Sequence, residues 1–242
     1  MPDPALAQRR SALLRRAFTL SGVIPLGAFL LVHIVTNMRA LDGDDAFDRV
    51  VRAYARVPGL AVIEGLFVFG PLLFHAGFGL WLVVRRLPLR TPSPYPPALR
   101  VAMRVTGVLA LAFLAMHLPE LRFRDPLARP GGAALAAVLD ADLSSMSHGL
   151  PWRAVAYLLG SACVCFHFAA GLWGFFAATP RGENPRTRRR AGWWAIAVGV
   201  SLWLLFADVV VYHATGARLL GGVPHDEAAS APCPTPSSSA AP

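Results

Sequence analysis

The sequence predicts an all-α, polytopic membrane protein, a bundle of five transmembrane helices. Three observations carry that reading. Of the 242 residues, 55% are hydrophobic and 15% charged, and the mean hydropathy is +0.49, so a soluble globule would lack the polar side chains to cover itself. Five apolar stretches reach the roughly 20 residues needed to cross about 30 Å of hydrocarbon at about 1.5 Å per residue. Arginines stand at the ends of those stretches rather than within them.

The first span occupies the charge-free interval between Arg16 and Arg39. No small-residue cleavage site follows it, so it reads as a retained helix and not as a signal peptide. The second lies between Arg56 and Arg85, with Glu64 as its one charge. The third runs from about Ala98 to Leu121, and Arg100 and Arg104 in its first turns are expected to snorkel toward headgroups. The fourth lies between Arg153 and Arg181, and the fifth between Arg190 and Arg218, enclosing Asp208. The connections TPSPYPP and TPRGENP are turn and breaker sequences. Beyond Gly222 the chain reads DEAASAPCPTPSSSAAP, a low-complexity stretch expected to be disordered. The organisation is thus a basic N-terminus (1–16), a membrane domain (17–217) and a tail (218–242).

All 23 basic residues are arginine, and the net charge is +9. Because these arginines flank apolar runs and do not share a face with stacking aromatics, they point to lipid headgroups, and nucleic acid is not an expected partner. With the N-terminus placed in the cytoplasm, 14 of the 23 arginines fall on that side and 9 outside. The acidic cluster Asp42, Asp44, Asp45 and Asp48 then lies in the first outer loop. This is the arrangement expected in a bacterial cytoplasmic membrane. Three cysteines are too few for a disulfide framework: Cys163 and Cys165 read as small core residues and Cys233 as part of the tail. There is no C-x-x-C-H for covalent haem attachment.

Seven histidines are present, and four of them, His33, His75, His117 and His167, fall one in each of the first four spans. An imidazole in hydrocarbon is costly without a partner or a metal. Local sequence pairs the four. F-L-L-V-H around His33 matches F-L-A-M-H around His117, and F-H-A-G-F-G-L-W around His75 matches F-H-F-A-A-G-L-W around His167. The two patterns describe a duplicated helical hairpin, an arrangement that commonly places a site at the repeat interface. Depth gives the same pairs. His33 precedes Arg39 by six residues and His117 precedes Arg122 by five, near the outer boundary, whereas His75 and His167 lie ten and fourteen residues before Arg85 and Arg181.

Zinc would call for about four close ligands, and only His167 has a cysteine, Cys163, one turn away. Haem iron needs only two opposed imidazoles and room for a flat macrocycle. Gly79 and Gly171, each four residues after a histidine and on the same helix face, offer that room, although small residues also serve close helix packing. The expectation is therefore two haems b, held by His33 with His117 and by His75 with His167. With both axial positions filled, the chemistry is electron transfer.

On this histidine ladder, with intervals of 42, 42 and 50 residues, the chain from about Ala17 to Ala217 resembles the di-haem, five-helix cytochrome b558 family, the cytochrome b subunits of succinate:quinone oxidoreductases. The long last interval falls on the Gly- and Ala-rich outer loop. The resemblance implies a flavoprotein and an iron–sulfur subunit docked on the cytoplasmic face. It also implies electrons passing through the His75/His167 haem and then the His33/His117 haem to a quinone, menaquinone or ubiquinone, near the outer half, or the reverse route in fumarate reduction. The chain itself has no G-x-G-x-x-G motif and no cysteine cluster. Some fumarate-reducing relatives carry an acid two positions before the fourth histidine. Cys165 stands there, which puts proton transfer by that route in doubt.

A quinone site needs a proton donor or acceptor, and Glu64 and Glu120 are the best-placed carboxylates. Each also has a structural reading, Glu64 as an arginine partner and Glu120 as an interfacial end residue. Asp208 is the deepest acid, with no partner evident in the sequence, and reads as structural. His148 and His213, near the outer surface, and His225, in the tail, read as non-ligands. Arg39, Arg122 and Arg153 are candidate partners for haem propionates. Two other classes fit the composition: a haem b subunit of a hydrogenase or formate dehydrogenase, and a histidine-lined transporter. The ladder disfavours the first, and a visible haem spectrum separates the second.

Overall fold

The computed structural model describes residues 4–85, 95–123 and 134–220, and every regular element among them is helical. Arg86, Arg90, most of TPSPYPP, the glycines of the third-to-fourth connection, His225, Cys233 and the tail after Leu220 lie outside the described residues.

Five segments are long and apolar enough to cross a membrane: Ala12–Asp42, Leu60–Val84, Pro97–Arg122, Trp152–Ala177 and Pro185–Thr215. The first consists of α1 (Pro4–Val23) and α2 (Pro25–Asn37). Pro25 lacks an N–H and its ring displaces the preceding turn, so the rod is marked at that point while Ala28 still donates to Ile24 at 2.9 Å and carries the helix on. The second is α4 (Leu60–Glu64), one π-helical turn (Gly65–Phe69) and α5 (Gly70–Val84). The third is α6 (Pro97–Leu118) with a π-helical turn, Pro119–Phe123, at its end. The fourth is α8 (Trp152–Ala177) and the fifth α9 (Pro185–Thr215). α9 starts earlier than its apolar run suggests. Asn184 caps it by accepting from Arg186 N at 2.9 Å, Pro185 fits the first turn, and Arg186 to Arg190 are helical. Gly216, at φ 72°, ends it in the left-handed conformation.

Two shorter helices lie in the connections, where the sequence suggested loops. Both sit at the end of the bundle opposite the start of the first span, called the outer end below. They are α3 (Asp44–Ala55) and α7 (Leu135–Leu143). Their apolar faces meet the end of α9: Phe47, Leu139, Leu143, Val209 and Val210 form one buried cluster. A second cluster, Ile34, Cys165 and Leu202, ties the first, fourth and fifth spans together. Cys165 is 1% exposed among apolar neighbours, a packing position. Packing of α8 on α9 is close because Gly199 leaves no room for a Cβ beside Ala169.

The second span shows what surrounds the bundle. Leu66, Leu73 and Val84 on it are 66%, 74% and 70% exposed, an apolar surface that water would not tolerate and acyl chains would cover.

Candidate functional site

The bundle holds a cavity of about 1180 Å³ that is lined by all four histidines and reaches α3, α7 and the end of α9. Single small-molecule sites usually occupy about 300–1,000 Å³, so there is space for more than one ligand.

The histidines meet in the two pairs that the repeat predicts. The rings of His33 and His117 have centroids 5.9 Å apart and planes at 85°, and those of His75 and His167 are 6.1 Å apart at 87°. Two imidazoles on opposite sides of one metal ion, each with a nitrogen about 2.0–2.1 Å from it, also have centroids about 6 Å apart. The spacing therefore fits a shared ion. Among the described residues no group of three or more His, Cys, Asp or Glu side chains could hold a metal, so each pair would offer a metal two ligands, the number that a haem needs from the protein.

The inner pair is held by a repeated motif that the sequence reading missed. His75 Nδ1 lies 3.0 Å from the carbonyl of Phe18 and 3.3 Å from the hydroxyl of Ser21. His167 Nδ1 lies 3.5 Å from the hydroxyl of Thr106, and the ring bonds the backbone of Met103. In both cases the carbonyl belongs to the residue three before the hydroxyl. With Nδ1–H donated in this way, Nε2 is left as the ligating atom. The next residue is glycine each time, and for a steric reason: a Cβ on Gly22 would fall 2.5 Å from His75 Cε1, and one on Gly107 2.9 Å from His167 Cε1. The S-G at 21–22 and T-G at 106–107 could have been found as a further match between the first and third spans.

Gly79 and Gly171 both line the cavity, as the macrocycle argument requires. A Cβ at Gly171 would meet nothing within 4 Å, so close packing does not explain that glycine; one at Gly79 would make ordinary contact with Phe18 at 3.5 Å. The outer pair is less symmetrically held. Asn37 Nδ2 stands 3.4 Å from His33 Nδ1, whereas His117 Nδ1 is buried without a hydrogen-bond partner. Phe29 and Phe113 stack on His33 and His117 at 5.4 Å each, which gives the shared F-L-x-x-H pattern its role.

The charged residues fall at the two ends. At the inner end Arg15, Arg16, Arg100 and Arg104 line the cavity, so the two arginines of the third span do not simply snorkel away from it. Tyr95 closes this end: its hydroxyl donates to Ala170 O at 3.3 Å, and burial pushes its pKa up to about 12, which keeps it a donor. At the outer end Glu64 accepts from Arg122 at 2.7 and 3.2 Å, and Glu120 pairs with Arg153 at 3.2 Å. Arg153 also reaches Asp142, and Arg39 pairs with Asp42.

Two expectations change. Asp208, which looked unpaired in the sequence, is 1% exposed and accepts from Leu219 N at 2.6 Å and Leu220 N at 3.3 Å, because the chain after Gly216 folds back against α9. His213 is 3% exposed and not a surface residue: α3 and α7 cover it, and its Nδ1 lies 2.6 Å from Asp140 Oδ1. Sequence alone could not reveal this, since both covering helices lie in segments read as loops.

Five apolar spans around two facing histidine pairs define a multi-pass membrane protein with two imidazole couples inside the bundle. The chain is 28% identical over 198 residues, 81% of its length and 94% of the relative's, to the succinate dehydrogenase cytochrome b558 subunit of Bacillus subtilis (strain 168). No family model and no solved structure matches it.

Proposed function

We propose that this chain is the membrane electron-transfer subunit of a succinate:quinone oxidoreductase, with two bis-histidine haems b. The observation that supports this most is the pair of imidazole couples at ligand spacing in one cavity, each with two donors and no third among the described residues. Haem b, when bound, supplies one-electron transfer with both axial sites closed to oxygen.

The protein's own residues do the rest. His75 and His167 are oriented by the carbonyls and hydroxyls of the first and third spans, and His33 and His117 by stacked phenylalanines. Arg15, Arg16, Arg100 and Arg104 are the partners for propionates at the inner end; of the three outer candidates only Arg122 lines the cavity, while Arg39 and Arg153 are turned to Asp42 and to Glu120 and Asp142. Two sites at different depths carry electrons across the bilayer from a flavoprotein and iron–sulfur subunit on the arginine-rich cytoplasmic face to quinone at the outer end. The membrane is the bacterial cytoplasmic membrane, with the N-terminus inside. Glu64 and Glu120 belong to the quinone end, where their arginine partners set the local field.

Purification of the intact complex tests this. Succinate should reduce the haem b spectrum, and the complex should transfer electrons from succinate to a short-chain quinone. A colourless chain, or one that purifies without dehydrogenase partners, would refute the reading.

A further inference from the structure

We propose that His213, backed by Asp140, is the proton-exchanging group of the quinone site. The proposal rests on the function given above, in which quinone is reduced beside the outer histidine pair.

His213 lies in the last turn of α9 and lines the same cavity as His33 and His117. Its side chain is 1% exposed, whereas that of Asp140 is 41% exposed. A carboxylate in contact with outer water is thus hydrogen-bonded to a fully enclosed imidazole, two stations that join the surface to the interior. The second ring nitrogen, Nε2, is buried without a partner. A buried polar atom of this kind is costly unless a ligand completes it, and a carbonyl oxygen is the complementary group. The ring stands edge-on to Phe47, at 5.9 Å, and Leu139, Phe206 and Val210 continue an apolar wall suited to a flat ring with a hydrocarbon tail.

The other acids near this end each have at least one partner, although Glu120 Oε2 and Asp208 Oδ2 are, like His213 Nε2, buried without one, and neither Glu120 nor Asp208 lines the cavity. Glu64 is held by Arg122, and Glu120 and Asp142 share Arg153. Asp48 accepts from Ala136 N and lies near Arg52, and Asp208 caps two backbone amides. His213 is the group at this end whose position combines burial, a free ring nitrogen and a connection to water.

The step balances as follows. The two electrons would be supplied one at a time by a one-electron carrier, haem b, held by His33 and His117. Protonated His213 gives its Nε2 proton to a quinone oxygen, breaking N–H and forming O–H, while the Nδ1 proton stays on the ring and is donated to Asp140 Oδ1, which stabilises the charged ring. The ring regains a proton derived from outer water, gives it to the second oxygen and is protonated once more from the same source, so one quinone, two electrons and two protons from outer water yield one quinol with His213 returned to its starting state.

The test uses the complete complex with its dehydrogenase partners. His213→Gln should lower succinate-driven reduction of a short-chain quinone about a hundredfold, in the range for loss of a positioned general acid, while succinate still reduces both haems and an artificial dye at wild-type rates. Asp140→Asn should lower quinone turnover several-fold, and Asp140→Glu should restore most of it, which a merely structural carboxylate would not require. Wild-type quinone turnover in His213→Gln, or equal loss of haem and dye reduction, would overturn the proposal. Failure of the wild-type complex to reduce quinone at all would instead remove the functional reading on which it rests.

Discussion

The hydroxyl of Ser21 stands to His75 as that of Thr106 stands to His167, 3.3 and 3.5 Å from Nδ1. An acceptor at Nδ1 adds electron density to the ring and favours the more oxidised metal. Ser21→Ala and Thr106→Val should therefore each raise the midpoint potential of one haem, the same one, by about 20 mV, the equivalent of a weak hydrogen bond in a one-electron couple. A spectroscopic redox titration reads this directly. A shift in the other component, or a fall in potential, would contradict the arrangement.

Glu64 and Arg122 form an ion pair at the outer end of the cavity, the carboxylate 14% and the guanidinium side chain 41% exposed. Glu64→Gln keeps the shape and removes the charge. Quinone-linked turnover should fall about fivefold, corresponding to roughly 1 kcal/mol, with dye-linked turnover and the haem spectrum unchanged. Equal loss of both activities would identify a purely structural pair.

Asp208 serves the fold and not the chemistry. Asp208→Ala leaves the amides of Leu219 and Leu220 without their acceptor and should cost about 1–3 kcal/mol, seen as a lower melting temperature of the complex. Asp208→Asn keeps an acceptor oxygen and should cost less. Haem reduction by succinate should survive in both variants.

The five spans and the histidine pairing were legible in the sequence because each rests on a strong, repeated signal. Hydrocarbon thickness sets span length, and the duplicated hairpin brings F-L-x-x-H to one depth and F-H-x-x-x-G-L-W to another. The Ser-Gly and Thr-Gly positions were just as regular, but their meaning depends on which helices face which. α3 and α7 escaped because short amphipathic helices leave no long apolar run, and with them went the burial of His213 and its bond to Asp140. The partner of Asp208 was illegible for another reason. It is a pair of backbone amides beyond the helix end, and no side-chain pattern announces it.

The central claim, that the facing imidazoles of His33 with His117 and His75 with His167 each hold one haem b, is tested most directly by haem stoichiometry in the purified complex. Pyridine haemochrome analysis set against protein mass should give two haems b per copy of this chain. One haem or none would contradict the account.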